Sequence, residues 1–179
     1  PRTGMDTLAL GLGDVTGDGN DDVVYISDQS LTDDPDPDKL YLFSSDGNNS
    51  LELIWSTNID GRAIAVGDVD NDGAGDVVIT TDHQNPVNIS NVIVYEWNGS
   101  GLTKRCTSPT VMDEWNTPDP LDLCGTQIAD TDQDGNNEII VGSEDGYLII
   151  FERDGNNSYV ERWKERIKPE STGDDPCVT

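Results

Sequence analysis

The stretch Asp68-Val69-Asp70-Asn71-Asp72-Gly73-Ala74-Gly75-Asp76, running directly into Val77-Val78-Ile79, decides how this chain reads. Carboxylates stand at positions 1, 3, 5 and 9 of a nine-residue loop, with glycine at position 6. Alternate side chains of such a loop point inward, glycine permits the sharp turn, and the Ala74 carbonyl at position 7 adds a backbone oxygen. That donor set suits one hard cation. The pattern returns twice. Asp14-Val15-Thr16-Gly17-Asp18-Gly19-Asn20-Asp21-Asp22 precedes Val23-Val24-Tyr25-Ile26, and Asp130-Thr131-Asp132-Gln133-Asp134-Gly135-Asn136-Asn137-Glu138 precedes Ile139-Ile140-Val141.

An EF-hand is excluded. Its twelve-residue loop closes on a bidentate glutamate between helices, whereas position 12 here is Tyr25, Ile79 and Val141. Each loop runs into a β-branched stretch with no helical periodicity.

The loops start at Asp14, Asp68 and Asp130, intervals of 54 and 62 residues. Each unit reads as four short strands. In the first these are Thr7–Leu12, Asp22–Ser27, Lys39–Ser44 and Leu51–Thr57; in the second Arg62–Val66, Asp76–Thr80, Asn91–Trp97 and Leu102–Thr107; in the third Leu123–Ala129, Glu138–Gly142, Gly146–Glu152 and Tyr159–Arg166. The cation loop joins strands one and two. A second signal joins strands three and four: Asp46-Gly47, Asn98-Gly99 and Asp154-Gly155, dipeptides favoured in type I′ hairpins. Two turn signals in one phase predict an all-β fold of β-propeller blades. The expected division is blade 1 over 1–60, blade 2 over 61–122 with an insertion at 108–122, blade 3 over 123–167, and a tail over 168–179. Three blades fall short of the roughly four to eight that close a ring. The chain is therefore expected to be part of a larger propeller or to associate with further copies, its open faces favouring self-association or a protein partner. The excursions at 28–38, 83–90 and 108–122, the last with Trp115, are the loops where binding would concentrate, if they are not simple surface insertions.

Ten basic residues against 36 acidic ones give a formal net charge of −26. Bound cations would neutralise part of that excess in the loops. The remaining negative surface argues against nucleic acid and anionic membranes as partners; halophilic adaptation is a competing source of the acidity. No apolar run approaches the ~18 residues of a membrane helix. The chain opens Pro1-Arg2-Thr3-Gly4 without a signal-peptide pattern, as a mature or excised product would. Of the three cysteines, Cys106 and Cys124 bracket an insertion. A bridge there would close a loop of about 19 residues and contribute roughly 3 kcal/mol in the chain-entropy model. Cys177 is then left for another segment or chain.

At these residues a family resemblance emerges. Gly67 to Ile79 resembles the FG-GAP/VCBS repeat of integrin α-subunit propellers and many secreted microbial proteins, although the Phe-Gly and Gly-Ala-Pro segments that name the family are not evident. The resemblance implies an extracellular setting and Ca²⁺ in all three loops. Its ligands would be Asp14, Thr16, Asp18, Asn20 (carbonyl) and Asp22; Asp68, Asp70, Asp72, Ala74 (carbonyl) and Asp76; and Asp130, Asp132, Asp134, Asn136 (carbonyl) and Glu138. Thr16, neutral at position 3, should make the first site the weakest. Asn-x-Ser glycosylation sequons stand at Asn48, Asn88, Asn98 and Asn156, and three of them lie on or beside the strand-three to strand-four turn.

No catalytic constellation is legible. His83 is the sole histidine and lies beside Gln84-Asn85-Pro86; no nucleophile elbow, phosphate loop or zinc spacing occurs. Trp55 and Trp163 occupy matching fourth-strand positions and read as packing residues, although they, Trp97 and Trp115 could also stack on sugars. The expected function is a calcium-stabilised extracellular propeller module with a structural, adhesive or protein-interaction role in a larger assembly or polymer. The alternative is a fragment of a secreted carbohydrate-active enzyme, resembling some polysaccharide lyases, or a carbohydrate-binding propeller.

Overall fold

The computed structural model describes residues 6–28, 38–48, 50–81, 90–112, 120–155 and 158–167. These form β1 (Asp6–Gly13), β2 (Asp22–Asp28), β3 (Lys39–Ser45), β4 (Leu51–Asn58), β5 (Ala63–Gly67), β6 (Asp76–Thr80), β7 (Val92–Trp97), β8 (Leu102–Thr107), β9 (Leu123–Ala129), β10 (Glu138–Ser143), β11 (Tyr147–Arg153) and β12 (Tyr159–Arg166). No helix occurs among the described residues. The strands make three antiparallel meanders in chain order: sheet I (β1–β4), sheet II (β5–β8) and sheet III (β9–β12). No strand end departs from the sequence expectation by more than one residue.

Side-chain alternation decides how the sheets stack. Val24 and Ile26 of β2 and Leu40 and Leu42 of β3 are fully buried against Ile64, Val77 and Ile79 of sheet II. The other face of sheet II gives Ala65, Val78, Val92 and Val94 to a second core, shared with Leu123, Ile139, Val141, Ile149 and Phe151 of sheet III. Sheet II is thus covered on both faces, and its β6 (Asp-Val-Val-Ile-Thr) is buried along its whole length. A doubly covered strand reads as a continuous apolar run. Each fully buried Val, Leu, Ile or Phe contributes about 1.5–3 kcal/mol.

The innermost strands meet at the hub of the fan. A methyl group added at Gly13 would lie 2.6 Å from Val66 Cγ1, and one at Gly11 would lie 2.7 Å from Ile64 Cγ2. Gly67 repeats the approach one sheet on, with Ile128 Cγ2 3.2 Å from the added carbon. β1 therefore packs against β5, and β5 against β9.

The outermost hairpin of every sheet carries a bulge at the same place. Leu42 pairs Trp55 but Phe43 pairs Leu53; Val94 pairs Cys106 but Tyr95 pairs Lys104; Ile150 pairs Trp163 but Phe151 pairs Glu161. Ile54, Arg105 and Arg162 are the extra residues. Both arginines reach a carboxylate on the neighbouring strand: Arg105 pairs with Glu96, and Arg162 Nε donates to Glu152 Oε2 at 2.7 Å. The bulge aligns Trp55, Cys106 and Trp163 as equivalent residues facing the next sheet. Trp55 packs against sheet II at Gly101, where an added methyl would meet its Nε1 at 2.6 Å. Trp163 faces no following sheet among the described residues and is 39% exposed.

Three expectations need correction. The Asp-Gly and Asn-Gly turns are not two-residue type I′ turns, which require positive φ at both central residues; among the described residues of these turns only the glycines, at φ 71 (Gly47), 89 (Gly99) and 87 (Gly155), are left-handed. Asp46 Oδ1 instead accepts from Asn48 N and Ser50 N, and Asn98 Oδ1 from Ser100 N and Gly101 N, so the side chain organises the turn. The Cys106–Cys124 bridge does not form: Cys106 is a free thiol, and Cys124 is disulfide-bonded to another residue. Cys106 packs on the core between sheets II and III. Cys124 is the extra residue of a bulge in β9, between Leu123, which pairs with Ser143, and Gly125, which pairs with Gly142. Thirdly, the 108–122 insertion is not wholly superficial. Its ends enter the core through Val111 and Leu121, each 2% exposed, and Leu121 N donates to Val111 O at 2.9 Å.

Candidate metal centre

The three β-hairpin loops on the inner strands share one hydrogen-bonding scheme. The position-1 carboxylate accepts from the position-6 glycine amide: Gly19 N to Asp14 Oδ2 at 2.8 Å, Gly73 N to Asp68 Oδ2 at 2.9 Å, Gly135 N to Asp130 Oδ2 at 3.1 Å. The position-5 carboxylate accepts from the position-7 amide in each loop, at 2.9 Å (Asn20), 2.8 Å (Ala74) and 2.7 Å (Asn136). These bonds curl the loop so that its carboxylates converge. Two left-handed residues make the curl possible: the position-6 glycine, and position 4, with φ 74 at Gly17, 61 at Asn71 and 65 at Gln133.

In the third loop Asp130, Asp132, Asp134 and Glu138 each bring an oxygen within 4.8 Å of the others. Asp68, Asp70 and Asp72 do the same in the second, without Asp76. The carboxylates of the first loop do not gather into such a group. Its position 3 is the neutral Thr16. The position-9 side chain has a second task that sequence reasoning missed, because it stitches the start of the loop to the second strand. Asp22 Oδ2 accepts from Val15 N (3.1 Å) and Thr16 N (2.8 Å), Asp76 Oδ2 from Val69 N (3.1 Å), and Glu138 Oε2 from Thr131 N and Oγ1 (both 2.6 Å).

The donor set fits a hard cation on a further count. Glu138 is 3% exposed, and its other oxygen, Oε1, is shut off from solvent with no hydrogen-bond partner among the described residues. A buried carboxylate oxygen left unpaired beside three aspartates is costly unless a cation joins them. Thr16 Oγ1 in the first loop is orphaned in the same way. In the second loop the strain shows as proton affinity. Burial, aided by Asp70, Asp72 and Glu96 and opposed by the bond from Val69 N, pushes Asp76 up to about 7. Burial and Asp72 also raise Asp70, against the pull of Arg153.

Of the sequons, Asn98 is committed to its turn: Nδ2 donates to Thr103 Oγ1 at 2.6 Å while Oδ1 accepts from residues 100 and 101. Asn48 is exposed, with Nδ2 donating to Asp46 O at 3.3 Å. Asn88, Asn156, His83, Trp115 and Cys177 lie outside the described residues. Trp97, like Trp55, packs on the core between sheets I and II. No helix among the described residues is long and apolar enough to cross a membrane.

Residues 14–79 match the FG-GAP-like repeat family. No curated protein sequence matches the chain. Among solved structures it is similar to the Bacillus licheniformis rhamnogalacturonan lyase PL11 (14% identity, TM-score 0.57, covering 88% of this chain and 34% of that one). It is also similar to the exotype rhamnogalacturonan lyase YesX (15%, TM-score 0.58, 88% and 32%) and the rhamnogalacturonan lyase YesW (18%, TM-score 0.56, 92% and 35%). At such identities the likeness shows the fold, a propeller-like array of sheets. The chain spans about a third of the length of these lyases.

Proposed function

We propose that this chain, which carries an FG-GAP-like repeat, is a calcium-stabilised section of an extracellular β-propeller whose work is structural and interactive. One observation carries the reading. The outer face of sheet I bears Leu10 (57% exposed), Leu12 (59%), Leu51 (52%) and Leu53 (49%) around the stacked rings of Tyr25, Tyr41 and Phe43. Val23 and Tyr25 stand at the repeat positions of Val77 and Ile79 in sheet II and of Ile139 and Val141 in sheet III. Those are the faces by which sheets II and III pack on the sheet before them. The outer face of sheet I therefore fits another blade of the same kind, from a flanking segment or a second copy, and an exposed apolar patch of this extent marks an interaction site.

Calcium would be held by the carboxylates of the three loops and the position-7 carbonyls, cancelling their mutual repulsion and tying strand one to strand two. The disulfide at Cys124 supports an oxidising, extracellular setting. Light scattering across a concentration series tests the interaction role: the chain should self-associate, and charges introduced as L12K with L53K should return it to a monomer. A chain that stays monomeric at its solubility limit removes the reading.

A second reading, a section of a polysaccharide lyase, is favoured by the fold of the three rhamnogalacturonan lyases. It predicts turnover of rhamnogalacturonan by a longer protein containing this segment, and rests on no catalytic group identified in this chain.

A further inference from the structure

Three consecutive carbonyls of the second loop accept hydrogen bonds from side chains of sheet III. Asn137 Nδ2 donates to Asp68 O at 2.7 Å, the Tyr159 hydroxyl to Val69 O at 3.0 Å, and Arg153 Nη1 to Asp70 O at 2.5 Å. The Arg153 guanidinium also lies 3.9 Å from Asp70 Oδ2. From the other side, Asn71 Nδ2 donates to Gly135 O (3.2 Å) and Asn136 Oδ1 (2.9 Å) of the third loop. Among the described residues, no side chain of sheet II bonds to the carbonyls of the first loop in this way. The residues of sheet II matching Asn137, Arg153 and Tyr159 by loop position and strand register are Gly75, Trp97 and Leu102. The bond recorded there runs from a backbone amide, Gly75 N to Asp14 O at 2.7 Å.

From this geometry we propose that the second and third loops are a coupled pair of cation sites, with Asn137 as the positioning residue that links them. The inference rests on the calcium reading given above. Asn137 is bracketed by two residues of the third site, the Asn136 carbonyl and the Glu138 carboxylate. When these are engaged, residue 137 is held between two anchored neighbours, and its amide is fixed against the position-1 carbonyl of the second loop. Arg153 and Tyr159 hold the next two carbonyls of that loop. Ordering the third site thus lowers the conformational cost of ordering the second, and by linkage the effect is reciprocal. Coupling through one such network is expected to change the affinity of the second site about fivefold, near the lower end of the usual range.

The test is a calcium chloride titration followed by amide-resolved NMR. The Gly73 and Gly135 amides each donate to a position-1 aspartate and so report their own loop. E138Q cripples the third site, with D132N in its place should E138Q not fold. Either variant is expected to move the Gly73 midpoint about fivefold to higher calcium. In an N137A background, which keeps every proposed ligand, the same variant should leave the Gly73 midpoint within about twofold. A Gly73 midpoint that ignores the loss of the third site in the otherwise native chain overturns the coupling and leaves the calcium reading standing. So does a fivefold shift that persists in N137A, as regards the role of Asn137. Failure of both glycine amides to respond to calcium overturns the calcium reading itself, and the coupling with it.

Discussion

Replacing Glu138 by glutamine should change stability in opposite directions with and without calcium. Glutamine keeps an acceptor for Thr131 N and Oγ1 but removes the charge whose second oxygen is buried without a partner. Oxygens of Asp130, Asp132 and Asp134 lie within 4.8 Å of it and of one another. At that separation each like-charge pair costs about 0.9 kcal/mol in a water-like dielectric, and physiological salt reduces it to roughly half. Three pairs, relaxed by rotation of the exposed aspartates, leave about 1 kcal/mol to be relieved. In EDTA the variant should therefore melt about 2–4 °C above the parent chain, given the size scaling of Tm. With calcium the order reverses. A site at 100 times its Kd contributes about 2.7 kcal/mol, and one weakened until calcium only equals its Kd contributes about 0.4 kcal/mol. The calcium-induced rise in Tm should shrink by roughly 5–9 °C. Differential scanning calorimetry of both proteins in EDTA and in excess calcium makes the four measurements. An E138Q chain that melts lower in EDTA yet keeps its full calcium increment would refute the reasoning, because Glu138 would then be a structural staple and no ligand.

Asp76 predicts a pH dependence. Its pKa is raised in the fold to about 7, so the folded state holds a proton that the unfolded chain has released, and the associated stability is lost as pH rises from about 4 through 7. In EDTA the chain should melt higher at pH 5.5 than at pH 7.5, D76N should flatten that slope, and calcium should oppose it by holding the carboxylate ionised. G101A should cost about 1–3 kcal/mol by forcing the Trp55 indole aside, read as a shift in the denaturation midpoint. Q133G should stabilise by roughly 0.5–1 kcal/mol, because φ 65 there strains a side chain and suits glycine; an unchanged urea midpoint would contradict it.

Some of this architecture was legible because it is written in short-range pattern. Val23 to Ile26 and Val77 to Ile79 both run apolar directly after an acidic loop, and the loops announce themselves by spacing. What was not legible depends on register or on residues far apart in the chain. The Cys106–Cys124 pairing was drawn from loop length alone, whereas Cys124 is the extra residue of a bulge in β9, which no local motif marks. Gln133 gives no hint of its left-handed backbone, since glutamine seldom adopts it; the hint was Gly17 and Asn71 at the same loop position. The grip of Asn137, Arg153 and Tyr159 on the second loop spans from 69 to 90 residues of sequence, and no local motif marks it.

The bulge shared by the three outer hairpins bears on how such an array can grow. β4, β8 and β12 are free edges, and an unbroken edge strand is a template on which foreign strands add. Inserting Ile54, Arg105 or Arg162 breaks the ladder midway, bends the rim, and in two sheets anchors a cation beside it. On the interaction role proposed above, such bulges would blunt lateral recruitment while the apolar outer face of sheet I stays open, so that further blades would join face on rather than along the perimeter.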